Sequence, residues 1–420
     1  MNPRTILAAL AALVLILAGQ SSVAGAAPPA LDTPAKQYVV TGAKNADQRS
    51  QVARTGAAID IVRKDGALEV SAIPSELAAI NKLGFKTAPA PAPARHPRSA
   101  TSYHTYAETA AEVDRVAAAY PQIAKKFVAG KSYQNRDIFG LKISDNVGTD
   151  ENEPEVLYIA NIHARERITN EQALYFINEL TRGYATDQRV KNLVDNRELW
   201  IIPITNPDGQ VYDMTSDTQP GRMWRKNRQP NSTSIGTDLN RNFGYRWGCC
   251  GGSSGSGSSE TYRGTAAESA PETKVIANFV RGRVVGGKQQ LKIFLDIHSV
   301  ANLVLWPFGY TKADTVPGAM SADEEATHRT IGRQLAQSNG YTPEQASDLY
   351  ITDGTTDDWT FGNQRIFSYT YELGGGSFYP SPANIESLTR VNRESLLKLA
   401  EYADCPYRAI GKEQQYCSTS

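Results

Sequence analysis

Short, almost uninterrupted apolar runs punctuate this chain at wide intervals. Val156-Leu157-Tyr158-Ile159-Ala160 and Ile293-Phe294-Leu295-Asp296-Ile297 are two of them, and residues 198–204 and 366–371 are two more. Runs of this length, rich in β-branched and aromatic residues, read as buried strands. The stretches 171–182, 271–281, 323–338 and 384–403 read as helices. Asn206-Pro207-Asp208-Gly209 closes the 198–204 strand as a turn. Strand and helix alternate. This predicts an α/β fold: a mixed, mostly parallel central sheet with helices on both faces.

The N-terminal part follows a different plan. Arg4 precedes an apolar run over 6–18, and Ala24-Gly25-Ala26 follows it. That is the pattern of a secretory signal peptide over 1–26, with an A-x-A cleavage site. The run is shorter than the roughly 20 residues that span a bilayer, and no later segment suggests a membrane span. A single Arg, not a pair, favours the general secretory route. Strand patterns at 37–40, 58–62 and 67–70 and a helix over 75–83, capped by Ser75, make a small α+β unit. Residues 87–98 are Ala/Pro-rich and end Arg95-His96-Pro97-Arg98. Such a stretch is an extended, protease-accessible linker. The unit before it is either a segment released near Arg98 or a subdomain on a tether.

Charge and cysteines narrow the class. The chain has 420 residues, with 44 basic and 44 acidic side chains. Zero net charge points to neither nucleic acid nor an anionic membrane surface. Four cysteines in an exported chain suggest disulfides, with three pairings open. Cys405 and Cys417 would clip the C-terminal tail. The adjacent Cys249 and Cys250 either bridge each other or stay reduced. They lie in 248–259, a Gly/Ser-rich stretch that reads as a surface loop.

The chemistry sits at the ends of two of the apolar runs. His163 and Glu166 follow the first, and His298 follows the second. Open α/β sheets gather their sites at the C-terminal ends of strands. Two imidazoles and one carboxylate make a three-ligand site for one zinc ion, with a position left open for water. His96, His104 and His328, the other three histidines, read as solvated.

Further motifs follow in order: Met223-Trp224-Arg225-Lys226, Asp238-Leu239-Asn240-Arg241-Asn242-Phe243, His298-Ser299, Tyr350, and Tyr371-Glu372-Leu373. In this order the series resembles the zinc carboxypeptidase family, most closely its bacterial carboxypeptidase T-like branch, from about Ser99 to the C-terminus. The resemblance implies a catalytic domain over 99–420 and favours a pro-segment over 27–98, since these enzymes are made as zymogens. It implies Glu372 as general base and acid toward an attacking water polarised by zinc, and Arg225 as the cation facing the oxyanion. Asp238 would orient His163. Lys226 and Arg222, beside Arg225, read as solvated or structural.

Asn240 and Arg241 resemble a clamp for the substrate's C-terminal carboxylate. Tyr350, 22 residues before Glu372, resembles a tyrosine that closes over the substrate. Arg165 resembles a residue binding further up the peptide. Asp357 stands where relatives that prefer basic C-terminal residues carry Asp. It reads either as the base of the specificity pocket or as part of a solvated acidic loop, so basic and apolar residues are both expected as substrates. Val300 replaces a Tyr of some family members, which touches an outer subsite only. Accessory calcium sites occur in the T-like branch.

The expected partners are peptide and protein substrates and an activating protease. The expected state is a secreted, extracellular monomer. Two rivals are a same-fold hydrolase of cell-wall peptides and a non-catalytic module that kept the fold. The first should lack Asp357, and the second should have lost Glu372, Arg225 or a ligand.

Overall fold

The computed structural model describes residues 35–91, 103–214 and 221–417. The signal-peptide expectation over 1–26 and most of the linker lie outside these residues. The described residues fall in one compact unit, Asp32–Ser420.

Its N-terminal portion is a four-stranded antiparallel sheet of β1 (Lys36–Thr41), β2 (Ala58–Val62), β3 (Leu68–Ala72) and β4 (Lys86–Pro89), in the order β2-β3-β1-β4. Val40, Val52, Leu68, Val70 and Ile80 form its own small core. Two features here depart from expectation. Residues 87–89 belong to β4 rather than to the linker. The helix Pro74–Lys82 is capped at Ile73, not Ser75: Pro74 takes the first helical position, and Glu76 accepts the Ile73 N–H at 2.9 Å.

The β2–β3 pairing carries a bulge. Ile59 faces Val70 and Ile61 faces Glu69, so Asp60 is an extra residue on β2. Bulges re-aim side chains, and the Asp60 carboxylate accepts the Ser71 hydroxyl of β3 at 2.6 Å.

The larger portion is built on an eight-stranded sheet. Its strands are β5 (Ala124–Lys131), β6 (Asp137–Ile143), β7 (Glu155–Ala160), β8 (Glu198–Ile202), β11 (Leu291–Ser299), β12 (Leu303–Trp306), β13 (Thr342–Gln345) and β14 (Phe367–Leu373). A short hairpin supplies β9 (Val284–Val285) and β10 (Lys288–Gln289). The order is β13-β12-β14-β11-β7-β8-β6-β5. The central strands β14, β11, β7 and β8 run parallel, and β6 and β5 continue antiparallel at one edge. This is the mixed, mostly parallel sheet that the apolar runs predict.

Helices cover both faces. On one, Ile168–Gly183, Ala322–Asn339 and Arg393–Glu401 bury Ile177, Leu180, Ile331, Leu335 and Leu396 against Val156, Tyr158 and Leu295. On the other, Pro271–Gly282 and Thr356–Gln364 bury Ile276, Val280 and Trp359 against Leu157, Ile159 and Phe294. Strands buried from both sides need apolar residues at every position, which is why they were legible as continuous runs.

Three local readings are corrected. Asn206-Pro207-Asp208-Gly209 does not form a free turn; it starts the helix Pro207–Met214, with Asn206 Oδ1 accepting the Gly209 N–H at 2.9 Å. The closing helix is two, Ile385–Arg390 and Arg393–Glu401, separated by Val391 and Asn392. His328 is not solvated. It is 0 % exposed and packs against Phe361, Phe367 and Tyr369. His104 is partly exposed and pairs with Glu171 at 2.8 Å, and His96 lies outside the described residues. Both cysteine pairs are disulfides, Cys405–Cys417 and Cys249–Cys250. Among the described residues no helix is long and apolar enough to cross a membrane.

Candidate active site

Three neighbouring parallel strands deliver the chemistry to one end of the sheet. β7 ends at Ala160, three residues before His163. β11 ends with His298-Ser299 and β14 with Glu372-Leu373, and His298 and Glu372 are direct partners across the two strands. The cleft above them is lined by His163, Glu166, His298, Arg225, Asn240, Arg241, Tyr350, Asp357 and Glu372.

His163, Glu166 and His298 are each 2 % exposed and bring their ligand atoms together. His163 Nδ1 is 2.8 Å from Glu166 Oε1, His298 Nδ1 is 3.0 Å from Glu166 Oε2, and the two Nδ1 atoms are 3.1 Å apart. The far side of each ring decides what these atoms are. His163 Nε2 lies 3.1 Å from Asp238 Oδ1, and His298 Nε2 lies 2.9 Å from Asp296 Oδ2. An ionised carboxylate only accepts, so each Nε2 directs a proton outward to the carboxylate behind it, and Nδ1 is the atom each ring turns inward and offers to a metal. Two imidazole lone pairs and two carboxylate oxygens facing one another need a cation between them. The donor set suits zinc, and the carboxylate behind each ring is the usual support for a metal-binding histidine.

Asp296 was not singled out in the sequence. The signal was available: it lies two residues before His298 on one strand, so both side chains share a face. Thr356 Oγ1 donates to its Oδ2 at 2.8 Å.

Asp238 serves two partners. Besides His163, it accepts from Arg225 Nε at 3.1 Å and Nη2 at 3.0 Å. Burial works against its charge, but Arg225 and His163 outweigh burial and hold its carboxyl below the usual range. Arg225 is thereby turned toward the metal group, with Nη1 3.9 Å from Glu166 Oε1. Lys226 is structural: it is buried, and its Nζ donates to Ser259 O at 2.9 Å and Gly257 O at 3.2 Å. Arg222 is exposed, with Nε donating to Tyr212 O.

Glu372 lies deep in the cleft. The loss of water there pushes its carboxyl up to about 8, while His298 and Arg225 pull it down. Asn240 packs beside this group: its Oδ1 accepts the Thr356 N–H at 2.8 Å, and its Nδ2 comes within 3.3 Å of His298 Nε2 without bonding it, since both nitrogens are donors. Asp357 is buried in the first turn of Thr356–Gln364 and lines the cleft, so the solvated-loop alternative is set aside. Burial pushes its carboxyl above the ordinary value.

Tyr350 lines the cleft and Arg165 is buried behind its Asp60 and Phe378 lining, and both are engaged. Arg165 pairs with Asp60 on the bulge of β2, donates to Ser71 Oγ at 2.9 Å, and stacks on Phe378 at 4.4 Å. Tyr350 donates to Ile59 O at 3.4 Å. Asp60 and Ile59 themselves line the cleft. Val300 packs with Phe378 and Tyr379, with Ile61 of β2 against them.

The calcium expectation finds no support. Glu155 and Glu198 are paired with Arg283 and Lys142, and Asp145, Glu151 and Glu153 form only a partly exposed acidic cluster.

Comparison with known proteins agrees with this geometry. The sequence pattern described as zinc carboxypeptidase matches residues 109–395. A zinc carboxypeptidase of Saccharothrix mutabilis subsp. capreolus is 44 % identical over 431 residues, covering 97 % of each chain. A zinc carboxypeptidase of Simulium vittatum is 37 % identical over 67 % of this chain and 90 % of its own. The crystal structure of the carboxypeptidase A from Helicoverpa armigera superposes with a TM-score of 0.73 at 25 % identity, over 91 % of this chain and 99 % of that one. With both a donor set that calls for a metal and a match along nearly its whole length, the chain belongs to the zinc carboxypeptidase family and is a metallocarboxypeptidase.

Proposed function

We propose that this chain is a secreted, monomeric exopeptidase made as a zymogen. In this reading 1–26 is the signal peptide, 27–98 the pro-segment with its linker, and 99–420 the catalytic domain. The observation that carries the reading is one cleft holding the His163–Glu166–His298 group, Glu372 and the Arg241 guanidinium together.

Zinc held by His163, Glu166 and His298 supplies Lewis acidity toward a water and the scissile carbonyl. Glu372 takes the proton from the attacking water and delivers it to the leaving amine. Arg225, fixed by Asp238, meets the charge that develops on the carbonyl oxygen. Arg241, with Asn240, holds the substrate's terminal carboxylate, for which the planar guanidinium edge is suited. Tyr350 closes over the substrate, and Arg165 receives the peptide further from its end.

The test uses one peptide with a free and an amidated C-terminus, with and without a chelator. Release of the last residue from the free acid alone, abolished by the chelator, is the expected result. Equal cleavage of the amide would make the enzyme an endopeptidase.

Asp357 supports a preference for Lys and Arg at the C-terminus, with apolar residues tolerated. A buried carboxylate without a cationic partner is costly, and a basic substrate group relieves that cost. Asp357→Ala is therefore expected to lower kcat/KM for C-terminal Lys and Arg by about 10–100-fold, the scale of a hydrogen bond to a charged group. Activity on C-terminal Leu and Phe should hold or rise. An equal fall on all four residues would give Asp357 a purely structural role. The same residue weighs against the cell-wall rival, which should lack it.

The N-terminal unit supports the zymogen reading by where it lies. Asp60 and Ile59 engage Arg165 and Tyr350, two groups assigned here to substrate. Arg49 donates to the carbonyls of Asp348 and Leu349, and Ser50 Oγ accepts the Ile351 N–H at 3.0 Å. The activating protease would act in the linker that follows β4.

A further inference from the structure

Arg241 is held by two carbonyls. Its Nη1 donates to Asn240 O at 2.7 Å and its Nε to Gly252 O at 3.0 Å. The first is its own neighbour in the chain. The second belongs to the stretch Gly248-Cys249-Cys250-Gly251-Gly252-Ser253, which contains neither helix nor strand. Composition reads it as a surface loop, yet Gly252 is buried. A run of this kind has no side chains with which to build a core, so something else must fix the Gly252 carbonyl.

That something is one carboxylate. Asp353 is 0 % exposed. Its Oδ1 accepts the Gly248 N–H at 3.1 Å and the Ser253 hydroxyl, and its Oδ2 accepts the N–H groups of Cys250 at 3.2 Å and Gly252 at 2.9 Å. Three alternate amides converge on a single acceptor. The Cys249–Cys250 disulfide restricts the chain in the middle of that set. Gly252 also lies flat on the Thr352–Asp353 backbone, where an added Cβ would stand 2.3 Å from Thr352 Cα. The loop is pressed onto Asp353 and tied to it.

We propose that Asp353 is a positioning residue for the carboxylate clamp. It acts through the disulfide-closed loop, whose Gly252 carbonyl sets the direction of Arg241. The inference rests on the reading of Arg241 as that clamp. It gives the adjacent cysteines a role: they keep the Cys250 and Gly252 amides turned to one side, so that the guanidinium edge stays aimed at the cleft. It also places the anchor three residues beyond Tyr350, so the segment carrying the closing tyrosine also orients the clamp.

The test uses the zinc-loaded full chain after nicking in its linker, as wild type, as Asp353→Asn and as the double variant C249A/C250A. Asn has one acceptor oxygen, and it turns an NH2 toward amides that need an acceptor. The double variant leaves Asp353 intact and removes only the restriction on the loop, so it carries the test if Asp353→Asn does not fold. Steady-state kinetics are measured on a peptide with a free and an amidated C-terminus, with active enzyme counted by bound zinc. A misaimed clamp costs binding: KM for the free acid should rise about 10–100-fold, with kcat changed by less than about threefold. The preference for acid over amide should shrink by the same factor. An unchanged KM in a folded variant, or a loss in kcat alone, overturns the proposal. A wild-type enzyme that does not distinguish acid from amide overturns instead the reading of Arg241.

Discussion

Replacing Glu372 with Gln should lower turnover by at least about 10²–10⁴-fold, the range for loss of general acid–base catalysis, while zinc stays bound. The two side chains have nearly the same shape, but the amide cannot take up a proton. Glu372 sits beside His298 across the β11–β14 pair, within reach of the metal group without belonging to it. The supports of the two histidines are Asp238 and Asp296, not Glu372. Zinc content of the purified variant and its single-turnover rate on one peptide separate the two effects. Near-normal turnover would assign the proton transfer to another group, and loss of zinc would make Glu372 part of the metal site.

Cutting the chain within 92–102 should raise peptidase activity by about 100-fold. A tethered segment faces its site at an effective concentration of about 1 mM. Even a weak intrinsic affinity, with a Kd of about 10 μM, would then leave only about 1 % of chains open. The contacts give reason to expect at least that affinity. Arg165 and Asp60 are buried together, and removing one partner of a buried pair costs about 3–5 kcal/mol. Asp60→Ala should therefore raise the activity of the uncut chain as well, by weakening the docked state. Comparing uncut wild type, uncut Asp60→Ala and the nicked wild type on one substrate checks both statements. Equal activity in all three would make the N-terminal unit an accessory domain or a folding aid.

The fold was legible where burial on both faces leaves only apolar residues, as in β7, β8, β11 and β14. The metal group was legible because its members stand at the ends of such strands. Part of what was missed was decided by partners far away in sequence. The helix Ala46–Ala53 is mostly polar, and it buries Ser50, whose hydroxyl bonds the Ile351 amide. Pro207 reads as a turn residue in isolation and as a helix start once Asn206 caps it. His328 sits among charged residues, yet with Ile331 and Leu335 it forms a face at helical spacing, and that face is the buried one. Among the site residues, Asp296 stands inside an apolar run and was readable only through its two-residue spacing from His298. Asp353 was hidden because its role is visible only when the Gly/Ser loop folds back onto it.

If the N-terminal unit is a pro-segment as proposed, the bulge in β2 limits how the enzyme is switched on. Asp60 offers the cleft a carboxylate that belongs to a side chain, in the middle of a strand whose backbone continues in both directions. An enzyme that removes residues one at a time from a free end finds no end there. The covering segment thus presents an acidic group without a bond the cleft can cut. On the zymogen reading the enzyme cannot digest its own cover, and activation passes to a different protease, one that cuts within a chain.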